Sequence, residues 1–128
     1  MKLLLDTHIL IWFLHSPDRL GAGVRGALLE ATNERWLSPI SVWEALLLQR
    51  KGRLHLRPDF ADWVKQSTPA VQQAPLTHEI VLAAEGLDLH DDPADRFIAA
   101  TALVHDFTLV TADQRLLGLG TIRSLANR

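Results

Sequence analysis

Two hydrophobic periods alternate along the chain. Leu3-Leu4-Leu5 is a short, uninterrupted apolar run that stops at Asp6, the pattern of a strand buried on both faces. Residues 9–14, with Trp12 and Phe13, then read as a short helix stopped by Ser16-Pro17-Asp18. Val24, Leu28, Leu29 and Ala31 mark a second helix that starts near Ala22 or Gly23 and ends at Asn33. Arg35 to Ser38 is strand-like. Ser41-Val42-Trp43-Glu44 then fits a capping box, in which the Ser41 hydroxyl and the Glu44 carboxylate bond each other's backbone N–H, with Val42, Ala45, Leu46 and Gln49 at helical spacing. Gly52 ends that helix.

After Pro58-Asp59, the positions of Phe60, Trp63 and Val64 predict an amphipathic helix closed by Pro69. Ala70 to Leu76 holds a weakly marked strand, and Thr77 opens a helix with Ile80, Val81, Ala84 and Leu87 on one face. Asp92-Pro93-Ala94-Asp95 is the sharpest helix start, with Asp at the N-cap and Pro in the first position. The helix that follows is apolar nearly all round through Leu103, so it should lie against a sheet. Thr108-Leu109-Val110-Thr111 is the next strand, Asp113 follows it, and a last strand is expected near Thr121-Ile122-Arg123. Strands alternating with helices imply right-handed parallel βαβ units.

Size and composition narrow the class. The 128 residues suit one α/β domain, and 48% hydrophobic with 22% charged residues is ordinary for a globular protein. The apolar runs are too short to span a membrane and the N-terminus lacks a secretory pattern, so a cytoplasmic protein is expected. Cysteine is absent, which excludes thiolate metal sites. A formal charge of -2 argues against a generally basic nucleic-acid binder, but the charges are segregated. Arg50, Lys51, Arg53 and Arg57 crowd one connection, and Asp88, Asp91, Asp92 and Asp95 crowd another. The basic group is either a track for an RNA backbone or a solvated helix end.

Asp6, Glu44, Asp95 and Asp113 all read as residues near helix starts, where each can serve as a cap. In a parallel sheet, strand ends and the following helix starts share one edge, so the same four residues would also converge. Like charges at about 4 Å cost roughly 4 kcal/mol each pair at an effective dielectric near 20, so a cation should sit among them. Oxygen ligands without cysteine favour Mg²⁺ or Mn²⁺ over zinc. The six histidines show no metal-ligand spacing, and His90 is the best placed of them. Carboxylate-held Mg²⁺ usually serves phosphate chemistry, and phosphodiester hydrolysis fits best.

These segments resemble the PIN-domain nucleases, in particular the VapC-type toxins of bacterial toxin-antitoxin pairs. The resemblance covers essentially the whole chain. It rests on Leu4-Leu5-Asp6-Thr7-His8, Ser41-Val42-Trp43-Glu44, Asp92-Pro93-Ala94-Asp95-Arg96 with Ala99-Ala100-Thr101-Ala102, and Leu109-Val110-Thr111-Ala112-Asp113. It implies a three-layer α/β/α sandwich with a parallel sheet of four or five strands. It further implies metal-dependent RNA cleavage, a homodimer, and an antitoxin whose tail occludes the groove. Asp6, Glu44, Asp95 and Asp113 match the family's acidic metal-binding and catalytic set, with Thr7 as its small hydroxyl and Asp92 as an outer-shell carboxylate. Arg96 is either a phosphate contact or an ion-pair partner. Ala94 and Thr101 depart from the residues common in this branch. Trp12, Phe13, Trp43 and Leu46 either line an apolar groove for a partner helix or belong to the core. The competing class is a non-catalytic module that binds RNA or protein, with the acids as caps only.

Overall fold

In the computed structural model, which describes residues 1–66 and 71–128, five parallel strands form one sheet in the order β3-β2-β1-β4-β5. They are β1 (Lys2–Leu5), β2 (Glu34–Leu37), β3 (Gln72–Gln73), β4 (Thr108–Thr111) and β5 (Arg123–Ala126). The helices between them are α1 (Thr7–His15), α2 (Ala22–Leu29), α3 (Pro39–Arg50), α4 (Phe60–Lys65), α5 (His78–Glu85), α6 (Pro93–His105) and α7 (Gln114–Leu117). A 3-10 turn at Pro17–Arg19 separates α1 from α2, where the Ser-Pro-Asp stop signal lies. The expected closure at Pro69 and the first residue of the expected strand, Ala70, lie outside the described residues.

Central β1 explains the three layers. Leu3, Leu4 and Leu5 are all fully buried, yet successive side chains point to opposite faces of the sheet. Leu4 joins Leu109, Ile80, Ile98 and Ala99 in a core beneath α5 and α6. Leu3 and Leu5 join Val110, Ile9, Val24 and Leu28 in a second core beneath α1 and α2. A third cluster, around Ile11, Ala45 and Phe60, seats α3 and α4 against α1. The family-implied α/β/α sandwich is therefore present, and α6 buries Ile98, Ala99, Ala100, Thr101 and Ala102 as its apolar character requires.

Several boundaries differ from expectation. Helix α2 stops at Leu29, which is exposed, so only Val24 and Leu28 of its expected face are buried. Val81 is likewise exposed on α5, where Ile80 and Ala84 make the contact. The last strand begins at Arg123 because residues 121–122 are still completing the turn after α7, and its alternation is weak at a sheet edge. The expected capping box is overturned. Ser38 caps α3 by accepting from the Ile40 N–H at 3.2 Å, and Pro39 takes the first helical position. Proline's fixed φ suits that position and lacks the N–H that would be orphaned there. Ser41 is consequently inside the helix, fully buried, and Glu44 lies a further turn along.

Candidate active site

Asp6 leaves β1 with its N–H still in the sheet, donating to the Val110 carbonyl at 3.0 Å. Its Oδ1 accepts the Thr7 N–H at 2.7 Å, capping α1. Its Oδ2 accepts the Thr111 hydroxyl at 2.7 Å. Capping and presentation at the sheet edge are therefore joint properties of one carboxylate. Burial pushes the Asp6 pKa up, the Thr111 and Thr7 hydrogen bonds oppose that, and the Asp95 charge adds to the rise.

Glu44 reaches the same edge from α3. Its Oε1 accepts the Thr7 hydroxyl, which fixes the side chain from the neighbouring helix. Burial raises its pKa, the Thr7 bond lowers it, and the charges of Asp6, Asp95 and Asp92 raise it further. Asp92 caps α6 through bonds from the Ala94 and Asp95 N–H groups at 3.0 and 3.3 Å. Asp95, in the first turn, is turned inward and bonded to His90 Nε2 at 2.7 Å. Burial raises its pKa, His90 opposes this, and Asp92 and Asp113 add to the rise.

Asp113 caps α7 by accepting the Arg115 N–H at 2.8 Å, while its own N–H donates to Thr111 Oγ1 at 3.0 Å. Burial alone would raise this carboxylate, but the hydrogen bonds and charge of Arg115 outweigh it and hold the pKa low. The exposed Arg115 guanidinium lies 3.1 Å from Asp113 Oδ2 and 3.8 Å from Asp95 Oδ2. Asp6, Glu44, Asp92, Asp95 and Asp113 all line one open cleft of about 330 Å³, with Arg115 at its margin. All four expected carboxylates are thus brought together.

The donor set fits a hard divalent cation, because its chemistry is carboxylate oxygen at closely spaced positions. His90, Asp92 and Asp95 each offer a donor atom, and these lie within 4.8 Å of one another. Mutual repulsion among Asp6, Glu44 and Asp95 is the electrostatic counterpart of that spacing. His90, the best placed histidine by its proximity to Asp91 and Asp92, takes part through Asp95. Thr111 and Arg115 escaped sequence reading as participants, since a hydroxyl at a strand end and an arginine just after a cap are ordinary features.

Other expected residues are placed differently. Arg96 is turned onto backbone: its two terminal nitrogens donate to the carbonyls of Leu89, His90, Ala84, Glu85 and Leu87. Two of these belong to the last residues of α5, whose carbonyls have no partner within the helix. Lys51 and Arg53 line a second hollow, of about 500 Å³, that shares Thr7, His8, Glu44 and Asp92 with the acidic cleft. Arg57 is turned onto Asp59 in a two-pronged pair at 3.0 and 2.8 Å. Arg50 lies over the Trp43 ring, 5.5 Å from its centre. Trp12 and Phe13 pack on the α1 side of the core, whereas Trp43 and Leu46 are exposed. Ala94 and Thr101 are buried; Thr101 bonds the Phe97 carbonyl within α6, so its departure concerns packing, whereas Ala94 also lines the second hollow.

The raised carboxylates have a consequence for stability. For Asp6, Glu44 and Asp95 the folded state holds protons more tightly than the unfolded state, whose values are near 3.8 and 4.5. Stability without metal should therefore fall as pH rises from that range through the folded values, and remain low above them. Asp113 acts with the opposite sign, contributing stability above 3.8 that is lost as pH falls through its lowered folded value. With chelator present, the melting temperature should fall between the unfolded carboxylate range, 3.8 to 4.5, and neutral pH, and Asp95→Asn should reduce the fall. A parent curve that is flat or rises over this interval would contradict the arrangement.

A parallel α/β sandwich with carboxylates gathered beyond the carboxyl ends of its strands defines an acidic-site α/β protein. Residues 3–120 match the PIN domain. The chain belongs to the PIN domain family. It is 34% identical over 115 residues to Ribonuclease VapC22 of Mycobacterium tuberculosis, covering 88% of each chain. Its fold is shared with a chain of VapBC2 from Rickettsia felis bound to a promoter DNA fragment, at a TM-score of 0.73 and 16% identity over 100% of both chains. A chain of the DNA-bound VapBC of Salmonella typhimurium matches at a TM-score of 0.68 and 18% identity, over 98% of both.

Proposed function

We propose that this protein is a metal-dependent endoribonuclease, the toxin of a type II toxin-antitoxin pair. The observation that carries the reading is the convergence of Asp6, Glu44, Asp95 and Asp113 in one open cleft. Membership of the PIN family and likeness to a named ribonuclease support RNA as substrate. Asp6, Glu44, Asp95 and Asp113 would hold Mg²⁺ or Mn²⁺, with Asp92 as a further carboxylate beside Asp95. When bound, the cation supplies positive charge to the phosphodiester and lowers the pKa of water.

The chain's own groups do the positioning. Thr111 and the Thr7 N–H aim Asp6, the Thr7 hydroxyl aims Glu44, and His90 aims Asp95. Held this way, the carboxylates lose little motional freedom on engaging substrate, which is how fixed geometry lowers a barrier. Arg115 offers a cation beside Asp113 for the substrate's phosphate.

Purified protein should cleave RNA with Mg²⁺ or Mn²⁺, stop on chelation and resume on metal return. RNA binding without cleavage under all these conditions would instead indicate a non-catalytic PIN-like module. The fold shared with VapBC chains supports a cognate antitoxin as partner. We further propose a cytoplasmic homodimer. Among the described residues, no helix is long and apolar enough to cross a membrane. Expression alone should arrest growth, and the cognate antitoxin should relieve it.

The basic loop yields a separate expectation. Lys51 and Arg53 line the hollow beside the acidic cleft, whereas Arg57 is occupied by Asp59. Lys51→Gln with Arg53→Gln should weaken RNA binding and lower the slope of log affinity against log salt by about 1.4, roughly 0.7 for each single-strand phosphate contact. Arg57→Gln should change the slope much less. Equal slopes in all three proteins would return the loop to solvated surface.

A further inference from the structure

The hollow beside the acidic cleft is not accounted for by the metal-binding carboxylates. Ile40, Leu47, Pro93 and Ala94 give it an apolar wall with Trp43 among them, and the rest of its lining is mostly polar or charged. Trp43 is 47% exposed although α3 has a buried side at Ser41 and Ala45, and Arg50 lies over its ring 5.5 Å from the centre, so its indole is a surface group that a planar occupant would share with a guanidinium. A large exposed aromatic beside a concave apolar wall favours a flat, partly apolar occupant.

The charges around the hollow restrict that occupant further. Lys51 and Arg53 flank Gly52, whose φ of +75° turns the chain sharply after α3 and is readily adopted by glycine. Both cations line the hollow, and Glu44 and Asp92 are shared between it and the acidic cleft. A ligand here would thus have a planar apolar part against the indole and an anionic part at Lys51 and Arg53. Its continuation would enter the carboxylate cleft. A nucleotide of a polynucleotide chain has this order of groups, whereas an apolar peptide side chain has no use for the two cations.

We propose that this hollow is a subsite for one unpaired RNA nucleotide, its base stacked on Trp43 and its phosphate held by Lys51 and Arg53. The proposal rests on RNA being the substrate. Pairing would deny the base face to the indole, so the subsite selects RNA that is single-stranded next to the cut. Trp43 is then a specificity residue that acts on binding, and the scissile phosphate lies on the far side of Glu44.

The test is binding, measured apart from cleavage. An Asp95→Asn background keeps RNA intact, and fluorescence anisotropy is read with labelled 12-nucleotide oligouridine and oligoadenine and with a 12-base-pair RNA duplex. Trp43→Ala should weaken single-strand binding about 5- to 150-fold, the range for loss of one base–aromatic stack. Trp43→Phe should recover most of that loss, and the duplex should bind more weakly and respond little to either change. Single-strand binding unaffected by Trp43→Ala would overturn the proposal and assign the indole to protein contacts instead. Equal tryptophan dependence for the duplex would also overturn it. Failure of the parent to cleave RNA, with Trp43-dependent single-strand binding intact, would defeat the nuclease reading and leave the subsite standing.

Discussion

Asp6→Asn, Glu44→Gln, Asp95→Asn and Asp113→Asn should each fold and each cleave RNA about 10²- to 10⁴-fold more slowly than the parent. Folding is preserved because each amide retains one oxygen acceptor for the capping or anchoring bond. Asp6→Asn keeps the Thr7 link through that oxygen and turns its NH2 toward Thr111 Oγ1, whose hydroxyl must rotate to accept it, while Glu44→Gln keeps its link to Thr7 and Asp113→Asn its link to the Arg115 N–H. Without metal, the first three expected gains in stability come from removing a charge that burial and its neighbours disfavour at Asp6, Glu44 and Asp95. Asp113→Asn is the exception, because it also removes a favourable pairing with Arg115. Mg²⁺ should raise the parent's melting temperature by preferential binding to the folded state, and the variants should lose much of that rise. Exposed Asp91 supplies the control, so Asp91→Asn should behave as the parent. Cleavage and Mg²⁺ response unchanged in all five proteins would reduce these acids to helix caps.

The second large effect is expected at Arg96. Replacing it with Met retains the apolar stem but removes the guanidinium that ties five carbonyls at the end of α5 and in the α5–α6 connection. Half-buried carbonyls would then lose charge-assisted bonds, each worth roughly 1.5 to 3 kcal/mol on its own, though bonds that share a donor do not add fully. The expected loss is about 3 kcal/mol in urea unfolding, a substantial fraction of a domain's usual 5 to 15 kcal/mol. Lys should rescue little, since an ammonium cannot reproduce the planar fork. The connection also carries His90 and leads to Asp92, so metal affinity should fall with stability. A variant of parental stability whose KM for RNA alone rises would restore the phosphate-contact role.

The contrast between Arg96 and Asp6 shows what was legible in the chain. Asp6, Asp92 and Asp113 could be read as group-bearing helix starts because capping is local: an oxygen meets an N–H one to three residues on. The buried strand at Leu3–Leu5 and the long apolar helix α6 were equally local in origin. Glu44 was assigned to the right region for the wrong physical reason. Ser41 and Glu44 have capping-box spacing, but Ser38-Pro39 offered the stronger start three residues earlier, repeating the grammar of Asp92-Pro93. The carbonyl-binding role of Arg96 was not legible, because an arginine beside an acid suggests an ion pair or a phosphate contact, while the carbonyls it holds converge only when α5 and α6 pack. The Thr111 bond to Asp6 spans 105 residues and leaves no trace in spacing. Edge strands were placed least well because, with one neighbour and weak alternation, pairing rather than pattern decides their limits.

The position of β1 between β2 and β4 has a consequence for the making of the protein. One neighbour is available by residue 37, but the other begins at Thr108, and Thr111 and Asp113 come with it. A nascent chain interrupted before that point has an unpaired edge on β1, no hydroxyl on Asp6 and one carboxylate too few. Abortive translation of the message should therefore release inert fragments. The segment that carries β4 and Asp113 covers the free edge of β1 and completes the cleft in one step.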